Sequence, residues 1–94
     1  MSDIVDNVAA SRFELEIDGH VAAAHYRRSP GLITFTHTEV PKALGGRGIG
    51  SRLAGGALDL VRAQGLKVVA QCAFIAGYLS KHPEYADLIA HDPA

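Results

Sequence analysis

Apolar and polar residues alternate along the first part of the chain. "RFELEIDGH" sets Phe13, Leu15 and Ile17 between acidic residues, and this period of two is typical of a half-buried strand. Asp18-Gly19 can supply the positive φ angles of a two-residue hairpin turn, so "HVAAAHYRR" is expected to return as an antiparallel partner. "SPG" then provides a second turn signal. The segment "LITFTHTEV" follows, and its β-branched residues predict a third strand of an antiparallel meander.

The third predicted strand carries polar residues near its end. If the strand is regular, Ile33, Phe35, His37 and Glu39 share one face. Pro41 lacks a backbone donor and marks the end of the strand. The polar residues are therefore expected beside whatever follows the strand.

Beyond Pro41 the hydrophobic period lengthens to that of a helix. Gly65 stands where a left-handed C-cap belongs. The apolar stripe of this predicted helix comprises Ile49, Leu53, Ala57, Leu60 and Val61.

The last part of the chain predicts one more strand and two short helices. "LKVVAQCAF" indicates a short buried strand with Val68, Ala70, Cys72 and Phe74 on one face. "IAGYLSK" is typical of a helix as far as His82, and "PEYADLIAH" of another short helix that begins at the proline. The predicted order is β-β-β-α-β-α-α, an α/β (α+β) domain.

Length and charge limit the class of protein. Ninety-four residues predict one domain over residues 1–94, with a polar, flexible segment over residues 1–11. A net charge of −1 provides no general field for nucleic acid. No stretch approaches the roughly 18 apolar residues of a membrane span, so no membrane partner is expected. A lone Cys72 is typical of a reducing compartment, and the cytoplasm is the expected location.

The segment "GGRGIG" crowds four glycines between the third strand and the long helix. Glycines let backbone N–H groups at a helix N-terminus approach an anion closely, which predicts a phosphate-sized cradle. The dinucleotide fingerprint fails, because its third glycine position is Ser51 or Leu53, and the Lys-Ser or Lys-Thr pair of the nucleoside-triphosphate loop is absent. A tight turn alone would need only one or two glycines.

The glycine segment also resembles a family motif. "GGRGIGSRL" is similar to the pyrophosphate-binding motif of the GNAT N-acetyltransferase superfamily, Arg/Gln-x-x-Gly-x-Gly/Ala. "THTEVPKALGGRGIGSRL", "GLKVVAQCAF" and "YLSKHPEYADLI" together resemble the short, single-domain GNAT-like proteins of about one hundred residues. The likeness covers roughly residues 13–89. Gly45 departs from it, since the first motif position is usually Arg or Gln.

The resemblance implies the GNAT-like fold and acetyl-coenzyme A as cofactor. It implies that the strand after the long helix splays from the third strand, with the thioester in the gap. Val40 would pair its main chain with the pantetheine arm, and Arg47 can compensate for the side chain missing at Gly45. The implied pyrophosphate-binding residues are Gly46, Arg47, Gly48, Ile49, Gly50 and Ser51.

Four residues are candidates for acetyl-transfer chemistry, and each has a structural alternative. Cys72 can be a nucleophile, a polar wall of the thioester pocket or a small buried hydrophobe. His37 can be the general base or a hydrogen-bonded strand residue, and Glu39 can orient it, act as base or remain solvated. Tyr78 resembles the tyrosine that protonates the departing thiolate in larger GNAT enzymes, or it is a packing aromatic.

These observations predict an N-acetyltransferase acting on an amine, either a small molecule or a protein lysine or N-terminus. The rival is a non-catalytic coenzyme A or nucleotide-binding module with a degenerate GNAT fold. A third alternative is an interaction domain without a ligand. The chain is expected to be a monomer or weak homodimer. No metal is expected, because His20, His25, His82 and His91 lack paired ligand spacing.

Overall fold

The computed structural model describes residues 4–90, and His91 lies outside them. One five-stranded sheet runs in the order β1-β2-β3-β4-β5. Its strands are β1 (Ile4–Asn7), β2 (Arg12–Ile17), β3 (His20–Ser29), β4 (Leu32–Glu39) and β5 (Lys67–Ala70). The helices are α1 (Ile49–Ala63) and α2 (Ala73–Lys81), with 3-10 turns at Val8–Ala10, Lys42–Leu44 and Pro83–Leu88. Over residues 4–90, no helix is long and apolar enough to cross a membrane.

The predicted meander is confirmed. β2, β3 and β4 pair antiparallel, and β5 joins β4 in parallel. Asp18 and Gly19 have φ angles of 53° and 79°, as a two-residue hairpin requires. Gly31 turns β3 into β4 at a φ of 72°.

β1 is a strand that the sequence pattern did not predict. It pairs antiparallel with β2, and its Ile4 is buried where α1 presents Gly56. A side chain at Gly56 would collide with Ile4, so the glycine makes room for the strand. The flexible segment predicted for residues 1–11 is therefore corrected from Ile4 onward, and residues 1–3 lie outside the described part.

α1 follows its predicted stripe. Six of its apolar residues are fully or nearly fully buried against the sheet, four of them from the predicted stripe, and Leu60 packs at the margin of this core. The helix ends in a Schellman motif, in which Leu66 N–H donates to Val61 O and Gly65 N–H donates to Arg62 O. Gly65 has a φ of 71°, which confirms the predicted left-handed cap.

β5 is shorter than predicted. It ends at Ala70, Cys72 caps α2, and Ala76 N–H donates to Cys72 O at 3.0 Å. Phe74 therefore lies on the helix rather than on the strand face expected for it, and its side chain is 42% exposed. The helix signal of the following residues extends back to Ala73 and overrides the short strand pattern.

Both helices cover one face of the sheet. Phe13 and Phe35 of the sheet share a core cluster with Leu53 of α1 and Ile75 of α2. No element among residues 4–90 covers the opposite face along β3 and β4, where Val21, Arg27, His37 and Glu39 are exposed. We call these the covered face and the open face.

Candidate active site

Six consecutive backbone amides surround the start of α1. Leu44 and Gly45 N–H groups close the preceding 3-10 turn, and Arg52 N–H makes the first helical bond, to Gly48 O at 3.1 Å. Within residues 4–90, none of the amides from Gly46 to Ser51 makes a hydrogen bond of normal length and angle to a protein acceptor. We call this run the amide nest. It lies at the positive end of a 15-residue helix.

Two glycines give the nest its shape. Gly46 and Gly48 have φ angles of 76° and 69°, and the space beside each is open. A residue with a side chain would be strained there, which is the physical reason for glycine at both positions. Gly50 serves another purpose, because a Cβ atom there would lie 2.7 Å from Phe74 Cζ. That glycine lets α2 pack closely against α1.

Arg47 lies in the nest, and its side chain reaches the β2–β3 hairpin. Its Nη1 atom is 3.4 Å from Asp18 Oδ2, and both side chains are at least half exposed. An ion pair this long and exposed is weak, so the guanidinium can exchange Asp18 for an anionic ligand.

A groove of about 270 Å³ opens beside the nest. Ser51 forms its α1 side, and Phe74 and Tyr78 are among the α2 residues that line it. Lys81 lies at the same groove, where the charge would suit a phosphate group. The sequence pattern identified Ser51 and Tyr78, but it placed Phe74 in a strand.

β4 and β5 separate beyond the fourth residue pair. Their ladder runs from Leu32↔Lys67 to Phe35↔Ala70. The amides of Gln71 and Cys72 then both donate to Phe35 O, at 2.9 and 3.1 Å, and the regular pairing stops. β4 continues for four residues past the end of this ladder, as the predicted splay of the two strands requires, and we call the edge of β4 left without a β5 partner the gap.

A bulge in β4 changes which face of the sheet the residues after Phe35 occupy. Phe35 pairs with Tyr26 and His37 pairs with His25, so Thr36 is an extra residue. His37 and Glu39 consequently lie on the open face, opposite Ile33 and Phe35. The prediction that these four residues share one face is wrong. The reason is that the bulge breaks the period of two.

Thr38 occupies the position on the covered face that was expected for a histidine. It pairs with the buried Ala24, and its Oγ1 atom is 3.3 Å from Cys72 Sγ. The pattern of the strand gave no signal for this contact. Only the position of the bulge reveals it.

Cys72 is the N-cap residue of α2 and is 8% exposed. Burial raises the pKa of its thiol, but hydrogen bonds from the Thr38 hydroxyl and from the amides of Ile75, Phe74 and Thr38 outweigh burial, so the pKa is lowered overall. The thiol is therefore stabilised as a thiolate by a hydroxyl and a helix N-terminus. His37 lies on the other face, so the structure does not bring the two together as thiol and base.

Tyr78 lies away from this thiol. Its hydroxyl lies 2.8 Å from the position that a Cβ atom on Gly55 would occupy. Its ring stacks on His82, with the ring centroids 3.9 Å apart. Burial, followed by the charges of Glu84 and Asp59, raises its pKa. Six residues of helix separate it from Cys72, about 9 Å along the axis. Tyr78 is thus a wall of the groove.

Glu39 contacts a histidine other than the predicted one. His25 Nε2 lies 2.7 Å from Glu39 Oε1, and the ring of His25 stacks on His37 with centroids 6.0 Å apart. His25 was missed because it lies on a different strand. Cross-strand pairing through the bulge is what brings it to Glu39. Val40 follows β4 directly and is exposed at the mouth of the gap.

Comparison with known proteins agrees with this architecture. The family described as GCN5-related N-acetyl-transferase matches residues 12–88, so the chain belongs to that family.

Curated relatives are also similar in sequence to part of this chain. Protein NATD1 of Homo sapiens is 42% identical over 52 residues, which are 55% of this chain and 46% of that protein. Protein NATD1 of Danio rerio is 38% identical over 61 residues, 63% of this chain and 56% of its own length. The chain thus spans about half the length of the curated relatives it matches.

A solved structure matches over nearly the whole chain. A GCN5-like protein of Staphylococcus aureus, determined by NMR, superposes with a TM-score of 0.71 at 29% identity. The match covers 98% of this chain and 93% of that one. The GNAT-like fold predicted from the sequence is confirmed.

The residues present fit the diphosphate of the cofactor that this family implies. The amide nest, whose N–H groups make no regular hydrogen bond within residues 4–90, lies at a helix N-terminus and offers donors to a doubly charged anion, and the groove beside it can accept the rest of a coenzyme. The fit rests on main-chain atoms, so the missing side chain at Gly45 removes one contact and leaves the nest in place.

Proposed function

We propose that the chain is an N-acetyltransferase that binds acetyl-coenzyme A and acetylates an amine. The amide nest at Gly46–Ser51 carries the proposal, since these amides have no acceptor in the described part of the protein. The first amides of a helix have no acceptor within the helix, and at this exposed loop a diphosphate would satisfy several at once. The groove lined by Ser51 and Lys81 would take a further part of the coenzyme.

The gap between β4 and β5 supports a path from the nest to the reacting atoms. Beyond Phe35 the main chain of β4 has no β5 partner, so Val40 and the residues before it can pair with an extended ligand arm. A pantetheine chain has amide groups that suit such pairing. Cys72 and Thr38 then lie beside the reacting end.

When bound, acetyl-coenzyme A supplies a thioester carbonyl that an amine can attack with departure of a thiolate. Cys72 suits two roles here. As a nucleophile it would use the thiolate that Thr38 and the start of α2 stabilise. As a pocket wall it would only exclude water. Replacement by alanine separates these roles, because Cys72→Ala would abolish turnover in the first case and retain most of it in the second.

The proposed acceptor is a small amine or a protein lysine or N-terminus. The open face leaves the acceptor side of the gap accessible to either. A second subunit could complete the site, in keeping with a monomer or weak homodimer. No nucleic-acid partner is proposed at a net charge of −1.

One observation favours a second candidate, a coenzyme A-binding module without turnover. Gly45 lacks the side chain usual in the family motif, and among residues 4–90 no basic side chain bonds to Cys72. Such a protein would bind the coenzyme through the nest without transferring the acetyl group.

Calorimetry and thiol release together test the proposal. Acetyl-coenzyme A is titrated into the protein, and free thiol is then measured with a panel of alkylamines and lysine peptides. Heat with amine-dependent thiol release supports the transferase. Heat and thermal protection without thiol release from any amine support the binding module. No heat at all overturns both.

A further inference from the structure

The open face holds a histidine–carboxylate pair that the sequence did not predict. His25 of β3 and Glu39 of β4 are joined by a 2.7 Å hydrogen bond. His37 lies opposite His25 across the two strands and stacks on it. All three side chains stand at the end of β4 where the gap begins, on the face that the helices leave uncovered.

The hydrogen bond fixes where the proton of His25 resides. An ionised carboxylate can only accept, so Nε2 of His25 must be the donor to Glu39. In the neutral ring the other nitrogen, Nδ1, then carries a lone pair and can accept a proton. If Nδ1 takes a proton, the resulting imidazolium forms an ion pair with Glu39. A carboxylate that orients a histidine in this way is a recurring device of acid–base sites.

His37 has no such orientation. Within residues 4–90 its side chain makes no hydrogen bond, and its contact with His25 is through the ring face. The other charged groups near His25 on this face are Arg27, two residues along β3, and two residues of β2. Arg12 is its cross-strand neighbour, and Glu14 is held by Arg12 and Asn7, with a pKa that those contacts lower. Glu39 is therefore the carboxylate available to His25.

The two faces of the sheet divide the reaction between them. The amide nest and Cys72 belong to the covered side of the sheet. On the open face His37 and Glu39 are exposed, so an acceptor amine can reach the outer end of β4 from that side. At neutral pH an alkylamine arrives as an ammonium ion, since its pKa is near 10, and must lose a proton before it can attack.

We propose that His25, oriented by Glu39, is the proton acceptor for the incoming ammonium group. This inference rests on the proposed transferase function. The proton leaves the ammonium nitrogen, directly or through one water, for Nδ1 of His25, and the N–H electron pair stays on the now neutral amine. The imidazolium is stabilised by Glu39 and releases its proton to solvent after the transfer. The acceptor class is a basic primary amine.

The test uses the pH profile of kcat/KM with two acceptors. His25→Gln can keep a donor to Glu39 but cannot take a proton. It is expected to lose the acid limb of the profile and to lower kcat/KM for an alkylamine about a hundredfold. An arylamine, already neutral at pH 7, should be acetylated within about twofold of the unaltered rate. His20→Gln, at the distant hairpin, should behave as the unaltered protein.

Two further measurements test the role of His25. Coenzyme A affinity should stay within about twofold in His25→Gln, and nitrogen NMR of the free protein should find the proton of His25 on Nε2. A limb that persists in His25→Gln, an equal loss with the arylamine, or a proton on Nδ1 in the neutral ring overturns the role of His25 alone. Heat of coenzyme binding with no turnover in the unaltered protein overturns the transferase, and this role with it.

Discussion

The amide nest and the outer end of β4 are two halves of one candidate site built from different atoms. The nest consists of main-chain N–H groups held by the φ angles of Gly46 and Gly48. The end of β4 consists of side chains whose faces are set by one extra residue, Thr36. The first half tolerates a change of neighbouring side chains, as Gly45 illustrates. The second depends on register, since a single residue decides which groups meet.

Deletion of Thr36, which alters the end of β4 but not the nest, should have the largest effect on acetyl transfer. His37 and Glu39 would stay on the open face, but β4 would lose the bend that a bulge introduces and would remain beside β5. The gap should narrow, and acetyl transfer should fall about a hundredfold, which is the scale of a misplaced acid–base group. Turnover and amide hydrogen exchange of β4 are the measurements.

Thr36→Gly is the control for the deletion, because it removes the side chain and keeps the residue count. It should retain turnover within about threefold. Coenzyme A binding at the nest should survive in both variants. Full turnover in the deletion variant would show that the bulge does not shape the gap.

Gly48→Val should break the nest and leave the strand end intact. A β-branched residue is strained at a φ of 69°, so the loop must shift and lose amide contacts to the diphosphate. Coenzyme A affinity should fall about tenfold to thirtyfold, the equivalent of about one charged hydrogen bond. Isothermal calorimetry measures the change.

Gly31→Val provides a matched control at a φ of 72°, also in open space but in the β3–β4 turn. Both variants should lower the free energy of unfolding by about 1–2 kcal/mol. Only Gly48→Val should weaken binding. Equal affinities in the two variants would mean that the nest does not hold the ligand.

Thr38→Val should have the smallest effect, on the contact that links the two halves. The hydroxyl stabilises the Cys72 thiolate, so its removal should raise the pKa of Cys72 and reduce the thiolate fraction near neutral pH. Alkylation by iodoacetamide at pH 7.5 should slow by about twofold to fivefold, as expected for one modest hydrogen bond. Thr34→Val, on the other face of β4, should leave the rate unchanged. Faster alkylation of Thr38→Val would contradict the assignment.

Local signals were enough to predict most of the fold. The Asp18-Gly19 turn, the stripe of α1 and the cap at Gly65 each depend on neighbours in sequence. β1 was missed because four residues with one buried side chain form a weak pattern. Its burial depends on the space left by Gly56, more than fifty residues away, which no local pattern can show.

The candidate site also has a part that the sequence predicts and a part that it does not. The nest was predictable because glycine spacing at a helix start has a direct backbone meaning. The contacts Thr38–Cys72 and His25–Glu39 were not, because "LITFTHTEV" alternates without interruption and a bulge leaves no mark in such a strand. The prediction that His37 and Glu39 share a face with Phe35 followed from a regular strand that the protein does not form.

Gly45 gives the nest one last property. With no titratable side chain at that position, the cradle offers mainly peptide dipoles, whose strength does not change with acidity. The affinity for acetyl-coenzyme A would then stay nearly constant from weakly acid to weakly alkaline solution. Deprotonation of the acceptor amine, by contrast, would depend on the protonation state of His25. In acid solution the protein would thus keep acetyl-coenzyme A bound but would not transfer the acetyl group.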